Sequence, residues 1–150
     1  MNQKKQCGCQ CGCMINSKDK KDNTLKILII NWQRLVDGGS TCPRCGSTEE
    51  ELDKAVDQLQ EKLKSLDINV VLDKAELSVD EFKKDPVKSN LILFNGIPLE
   101  DIINAKVGKS QCCDVCGDEE CRTVEIKGET FEIIPAEMIV RAGLKVAADL

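Results

Sequence analysis

The chain contains no histidine and no tyrosine, and its aromatic residues are three Phe and one Trp, 3% of 150 positions. Without an imidazole there is no Cys-His nucleophile pair and no histidine general base. Any metal site has to be assembled from thiolate, carboxylate or backbone oxygen. Few stacking side chains and a formal charge of -5 remove the aromatic and basic footprint of nucleic-acid binding, so nucleic acid is not an expected partner. No apolar run approaches the roughly 18 residues of a membrane helix. The longest runs, Ile27 to Ile30 and Leu91 to Phe94, are strand-sized, and no membrane partner is expected. Lys4 and Lys5 are followed by Cys, Gly and Gln where a secretory leader would place its apolar stretch, so the expected location is cytoplasmic.

Against these gaps stand ten cysteines. In a reducing compartment they read as metal-binding or catalytic before they read as a disulfide framework. They fall into three groups: Cys7, Cys9, Cys11 and Cys13; Cys42 and Cys45; and Cys112, Cys113, Cys116 and Cys121. A chain of 150 residues is long enough to bury a core without a metal or disulfide to fold it. The charge is divided as well, +4 over residues 1–26 against -9 over the remainder, which marks the N-terminal segment as a separate electrostatic object.

Residues 1–23 join the Cys-Gly repeat to "NSKDKKDN", polar and charged with nothing to bury, and are expected to form a flexible tail. The folded domain is expected over 24–150. "LKILIINWQRL" opens it as a strand covered on both faces, with Trp32 near its end at a sheet edge, and Gly38-Gly39-Ser40 breaks it. After Cys42-Pro43-Arg44-Cys45, residues Leu52, Val56, Leu59, Leu63 and Leu66 recur at helical spacing. Ser47 and Thr48, each three residues before Glu50 or Glu51, are candidate caps for that helix. Alternating Ile68, Val70 and Leu72 predict a second strand, and Ser78 caps a short helix stopped by Pro86. "LILF" is a third strand ending in the Asn95-Gly96 turn, and "PLEDIINA" a short helix. A cysteine-rich loop spans 108–121. "TVEI" and "ETFEIIP" then form a hairpin through Lys127-Gly128, and Pro135 starts a closing helix with Met138, Ile139, Ala142 and Val146 inward. The order predicts an α/β sandwich with a central mixed sheet flanked by helices.

A C-x-x-C between first strand and first helix resembles the thioredoxin superfamily, and Cys42-Pro43-Arg44-Cys45 is similar to the C-P-x-C of glutaredoxin-like members. More closely, "NWQRLVDGGSTCPRCGSTEEEL", "FNGIPLEDII" and "CCDVCGDEECRTVEIKGETFEIIPAEMIVRAG" resemble a prokaryotic thioredoxin-like family without an assigned activity, across about residues 26–145. The resemblance implies a thioredoxin-like sandwich with Cys42 attacking and Cys45 resolving. A helix N-terminus and the charge of Arg44 favour the Cys42 thiolate, with Glu49 to Glu51 working against it. Two departures stand out. Gly46-Ser47 suggests that the helix restarts beyond the motif. Ser89 stands where the superfamily commonly has a cis-proline facing the dithiol. In the family that proline is thought to shield the pair, and its loss is associated with metal or cluster binding. Here it implies an unshielded dithiol open to a soft metal or metalloid.

"CGCQCGC" resembles short pieces of metallothionein, and in extended chain its four thiols gather on one side to wrap a thiophilic ion such as Zn, Cu(I), Hg(II) or As(III). The competing reading is a tail whose thiols only oxidise. Cys112, Cys113, Cys116 and Cys121 suit a structural zinc clip, a second redox pair relaying electrons to Cys42 and Cys45, or two plain disulfides. A zinc ribbon joining "CPRCG" to "CDVCG" is disfavoured by the 67 residues between Cys45 and Cys113, against about 15 to 20 in the usual double motif. Arg34 is read as solvated, with proximity to the dithiol as the alternative, and the acids at 114–120 as loop solvation. The expected function is thiol-disulfide exchange on a protein or small-molecule thiol or disulfide, in metal or metalloid handling. No cofactor is required for the redox chemistry, and zinc or another thiophilic metal is the candidate ion. The alternatives are a non-catalytic metal-binding protein or metallochaperone, and a zinc-stabilised structural module.

Overall fold

The structure, a computed structural model, describes residues 24–111, 117 and 119–150. Strand β1 (Lys26–Leu35) leads into helix α1 (Pro43–Leu63), a 3-10 turn (Lys64–Leu66) and strand β2 (Ile68–Leu77). Helix α2 (Val79–Lys84) and a second 3-10 turn (Pro86–Lys88) precede β3 (Leu91–Phe94), β4 (Ile97–Pro98) and helix α3 (Leu99–Ile103). Strands β5 (Lys106–Gln111), β6 (Glu120–Ile126) and β7 (Glu129–Phe131) and helix α4 (Ala136–Ala147) complete the chain. The architecture is a mixed α/β fold. A four-stranded sheet of order β2-β1-β3-β4 is flanked by helices, with β1 and β2 parallel and β3 antiparallel to both β1 and β4.

Along β1 the period of two decides the packing. Leu28, Ile30 and Trp32 are fully buried and share one core with Leu52, Ala55, Leu59 and Leu63 of α1 and with Met138, Ile139, Ala142 and Val146 of α4. The opposite face is not covered as the sequence suggested: Ile29 is 41% and Val71, its neighbour on β2, 46% exposed. Trp32 lies in an inner strand rather than at an edge, fully buried, and β1 continues to Leu35. Each such side chain contributes about 1.5–3 kcal/mol by leaving water.

A second sheet of order β5-β6-β7 occupies part of what the sequence presented as a cysteine loop. Residues 106–111 pair with 120–125 in antiparallel register, which puts Cys121 opposite Ser110. The expected β6-β7 hairpin is present, its turn made by Lys127 and Gly128, both at positive φ. Ser78 caps α2 through a full capping box with Glu81. The α1 stripe ends at Leu63, because Leu66 sits in the 3-10 turn and is exposed. Among the described residues no helix is long and apolar enough to cross a membrane.

Candidate functional site

The turn that follows β1 delivers the chain to α1. Gly38 and Gly39 take positive φ between the bridged residues Asp37 and Ser40, a conformation in which a side chain would be strained. Cys42 is then the N-cap of α1, in extended conformation, with Pro43 inside the first turn. Cys42 Sγ accepts the Cys45 backbone N–H at 3.4 Å, and the Cys42 carbonyl accepts the Gly46 N–H at 2.9 Å. The helix therefore runs unbroken through Gly46 and Ser47 instead of restarting beyond the motif. Neither candidate cap is used as one. Thr48 is wholly buried inside the helix, because a cysteine already occupies the capping position.

Cys42 and Cys45 are both reduced and are 2% and 1% exposed. The expectation of an unshielded dithiol is thereby corrected. Although no cis peptide is present among the described residues, the residue facing the pair is fully buried: Ser89 Oγ lies 3.7 Å from Cys45 Sγ and also accepts the Leu35 N–H at 3.0 Å. The Cys45 thiol is held far above its ordinary range, first by its hydrogen bond to the Cys42 sulfur, then by burial and by the charge of Cys42. The hydroxyls of Ser89 and Thr41 pull the other way.

The residue after Ser89 locks this arrangement. Asn90 adopts φ 61 and is 1% exposed. Its Oδ1 accepts the Trp32 indole N–H at 3.1 Å, and its Nδ2 donates to Thr48 Oγ1 at 3.2 Å. Thr48 Oγ1 in turn accepts the Ile134 N–H at 3.3 Å. A single buried bracket thus joins β1, α1, the Ser89 turn and the approach to α4. Sequence reasoning passed over Asn90 and offered Thr48 only as a helix cap. The available signal was a Ser-Asn pair before an apolar run, since Asn is the side chain that most readily accepts positive φ.

Arg44, inside the motif, does not present a charge to solvent. It is 8% exposed, donates to the Gln111 carbonyl at 2.9 Å and the Ser110 carbonyl at 3.5 Å, and pairs with Glu132 at 3.3 Å. It clasps the end of β5 against the start of α1. The acids that follow are likewise engaged: Glu49 pairs with Lys74, and Glu51 with Lys54 and the Ala136 N–H at the start of α4. Arg34 is not solvated as expected. It lies 4.9 Å over the Trp32 ring and donates to the Ala75 carbonyl.

Of the other cysteines, Cys121 is fully buried in β6. Cys7, Cys9, Cys11, Cys13, Cys112, Cys113 and Cys116 lie outside the described residues, as does the expected tail. Among the described residues no group of three or more Cys, Asp or Glu side chains is placed to hold a metal. The dithiol, with Ser89 behind it, is the chemically distinctive cluster.

Comparison with known proteins adds kinship. A protein of Archaeoglobus fulgidus, described as an uncharacterized protein, is 46% identical over 112 residues, covering 75% of this chain and 82% of its own. No solved structure matches the chain. The family described as "Domain of unknown function (DUF2703)" matches residues 28–143, and the chain belongs to that family.

Proposed function

We propose that the protein is a thioredoxin-like thiol-disulfide oxidoreductase in which Cys42 attacks and Cys45 resolves. The observation that carries this reading is the Cys45 backbone N–H donating to Cys42 Sγ at 3.4 Å at the N-terminus of α1, beside a buried Cys45 thiol whose pKa the same sulfur holds up. That donor and the helix dipole both favour negative charge on the Cys42 sulfur, while Cys45 keeps its proton. The two cysteines thereby acquire different roles. The β2-β1-β3-β4 order, with the dithiol between β1 and α1, supports the thioredoxin-like reading.

In this reading the Cys42 thiolate attacks a substrate disulfide R–S–S–R′, the Cys42–S–S–R bond forms, and R′S⁻ leaves and is protonated. Cys45 then attacks the Cys42 sulfur, the bond to R breaks, and RS⁻ takes the proton that Cys45 loses. The substrate gains two electrons and the dithiol becomes a disulfide, which a second cellular thiol reduces again. With Cys42 only 2% exposed, contact with substrate requires the packing around it to give way. The thiol runs at Cys7 to Cys13 and Cys112 to Cys121 extend the reading to a thiophilic metal or metalloid as a further partner.

The test is equilibration of the reduced protein in glutathione buffers of graded potential, followed by acid quench and peptide mass analysis. A Cys42–Cys45 disulfide appearing with a defined midpoint is expected. Its failure to form at any poise refutes the oxidoreductase.

A further inference from the structure

We infer that Ser89 is the hydrogen-bond donor that carries Cys45 through its thiolate state when the dithiol resolves a mixed disulfide. The inference rests on the oxidoreductase reading and assigns a part to a residue outside the C-x-x-C. Its basis is the direction of one hydrogen-bond chain. The Leu35 N–H, at 3.0 Å, takes one acceptor position of Ser89 Oγ, and because the Cys45 thiol is directed to the Cys42 sulfur, the 3.7 Å contact with Cys45 Sγ falls to the Ser89 proton. The Thr41 hydroxyl also favours the Cys45 thiolate but is shared with the Leu35 carbonyl, to which it donates at 2.8 Å. Ser89 itself is fully buried, so no water competes for its proton. The chain therefore runs from Leu35 N–H to Ser89 O–H to Cys45 S–H to Cys42 sulfur, each member donating to the next.

The arrangement matters most at the second step. In the reduced state the Cys45 proton is retained chiefly by its bond to Cys42 and, after burial, by the charge of Cys42. Once Cys42 is captured as Cys42–S–S–R, that charge is gone and its sulfur accepts only weakly. Burial is what still opposes ionisation. Ser89 offsets it: as Cys45 attacks the Cys42 sulfur, its proton passes to the departing RS⁻, and Ser89 keeps its own proton while hydrogen-bonding the sulfur on which charge collects. No group besides the dithiol and the substrate changes its bonds.

The experiment is a single turnover of reduced protein with glutathione disulfide, acid-quenched and followed by mass. Formation of the Cys42 mixed disulfide is expected to slow far less than its resolution in Ser89→Ala. Its decay to the Cys42–Cys45 disulfide should be roughly tenfold slower, with a pH profile displaced upward and the rate restored in Ser89→Thr. Ser89→Thr and Ser89→Val, alike in shape, give the same comparison if the alanine variant does not fold. Equal decay rates with and without the hydroxyl overturn the proposal. A second arm needs no turnover: thiolate absorbance is titrated in Cys42→Ala with and without Ser89→Ala, subtracting Cys42→Ala/Cys45→Ala. An upward displacement is expected, and coincident curves also overturn the proposal. If that displacement appears while the wild-type chain forms no Cys42–Cys45 disulfide, the oxidoreductase reading fails and the resolving step falls with it, leaving only the hydrogen bond.

Discussion

Gly143 of α4 lies against Leu59 of α1 so closely that an added Cβ would stand 2.7 Å from Leu59 Cδ1 and 2.9 Å from Cδ2. Both positions are in the core, with Leu59 fully buried, so the spacing of the two long helices is set by the absence of one methyl group. Alanine would gain about 1 kcal/mol of helix propensity over glycine. Overpacking costs about 1–3 kcal/mol. Gly143→Ala is therefore expected to lower the urea midpoint with an unchanged slope, and Gly143→Val to lower it further. A midpoint that rises in Gly143→Ala would show that Leu59 yields freely.

The bracket around Asn90 makes a sharper prediction. Asn90→Ala leaves the Trp32 indole N–H and the Thr48 hydroxyl short of a partner and puts a Cβ without a compensating polar group at φ 61. A buried donor left unmade costs about 1–3 kcal/mol, and the backbone conformation adds to that. Asn90→Gly relieves the backbone part alone and should be intermediate. Trp32 is the only tryptophan, so its fluorescence follows unfolding of each variant directly. Equal stability of Asn90→Gly and the parent chain would remove the side-chain bonds from the account.

How these features show in the sequence differs by kind. The alternation in β2 and the period of about 3.6 in α1 and α4 are carried by residues that enter the core, so those elements and their order were legible, while β4 and β5 were not. The coverage of β1 was not, because a continuous apolar run such as Ile27 to Ile30 looks alike whether one face or two are packed. The start of α1 was misplaced because Cys42 took a capping role that propensity assigns to Ser, Thr, Asp or Asn. The dithiol was visible from its spacing, and Ser89 from a family pattern. Arg44, Asn90 and Thr48 were not assigned their roles, since those depend on which strands and turns lie beside α1, a long-range fact that no local window contains.

The ion pair of Glu100 and Arg122 belongs to that long-range class. The two side chains are 4% and 7% exposed, with Nε to Oε1 at 3.0 Å and Nη2 to Oε2 at 2.9 Å, and Arg122 Nη1 donates to the Val87 carbonyl at 2.7 Å. The pair fastens β6 to α3 and to the turn two residues before Ser89. Removing one partner strands a buried charge, so Glu100→Gln and Arg122→Met should each cost about 3–5 kcal/mol. Replacing both with apolar residues should recover much of the loss, which a double-mutant cycle would measure. Arg122→Met should also speed hydrogen exchange at the Leu35 N–H, held by Ser89, because that turn loses an anchor. Unaltered exchange there would separate the ion pair from the dithiol.

Cys45 predicts an alkaline limit to stability. Its thiol is held above the ordinary value by the Cys42 hydrogen bond, burial and the Cys42 charge, so the folded chain keeps a proton that the unfolded chain releases near the usual cysteine value of about 8.5. Below that value both states carry the proton and the group adds no slope. Above it the unfolded state binds fewer protons, and unfolding free energy falls by about 1.4 kcal/mol per pH unit for this one group until the folded thiol also ionises. The expected result is a stability curve that turns downward from about pH 8.5 in reducing buffer, measured by urea unfolding of Trp32 fluorescence at successive pH values. Cys45→Ala starts from lower stability, having lost a buried sulfur, but its curve should fall less steeply over the same interval. Parallel slopes for the two chains would mean that Cys45 ionises as readily folded as unfolded, and the division of roles between the two cysteines would then have to be abandoned.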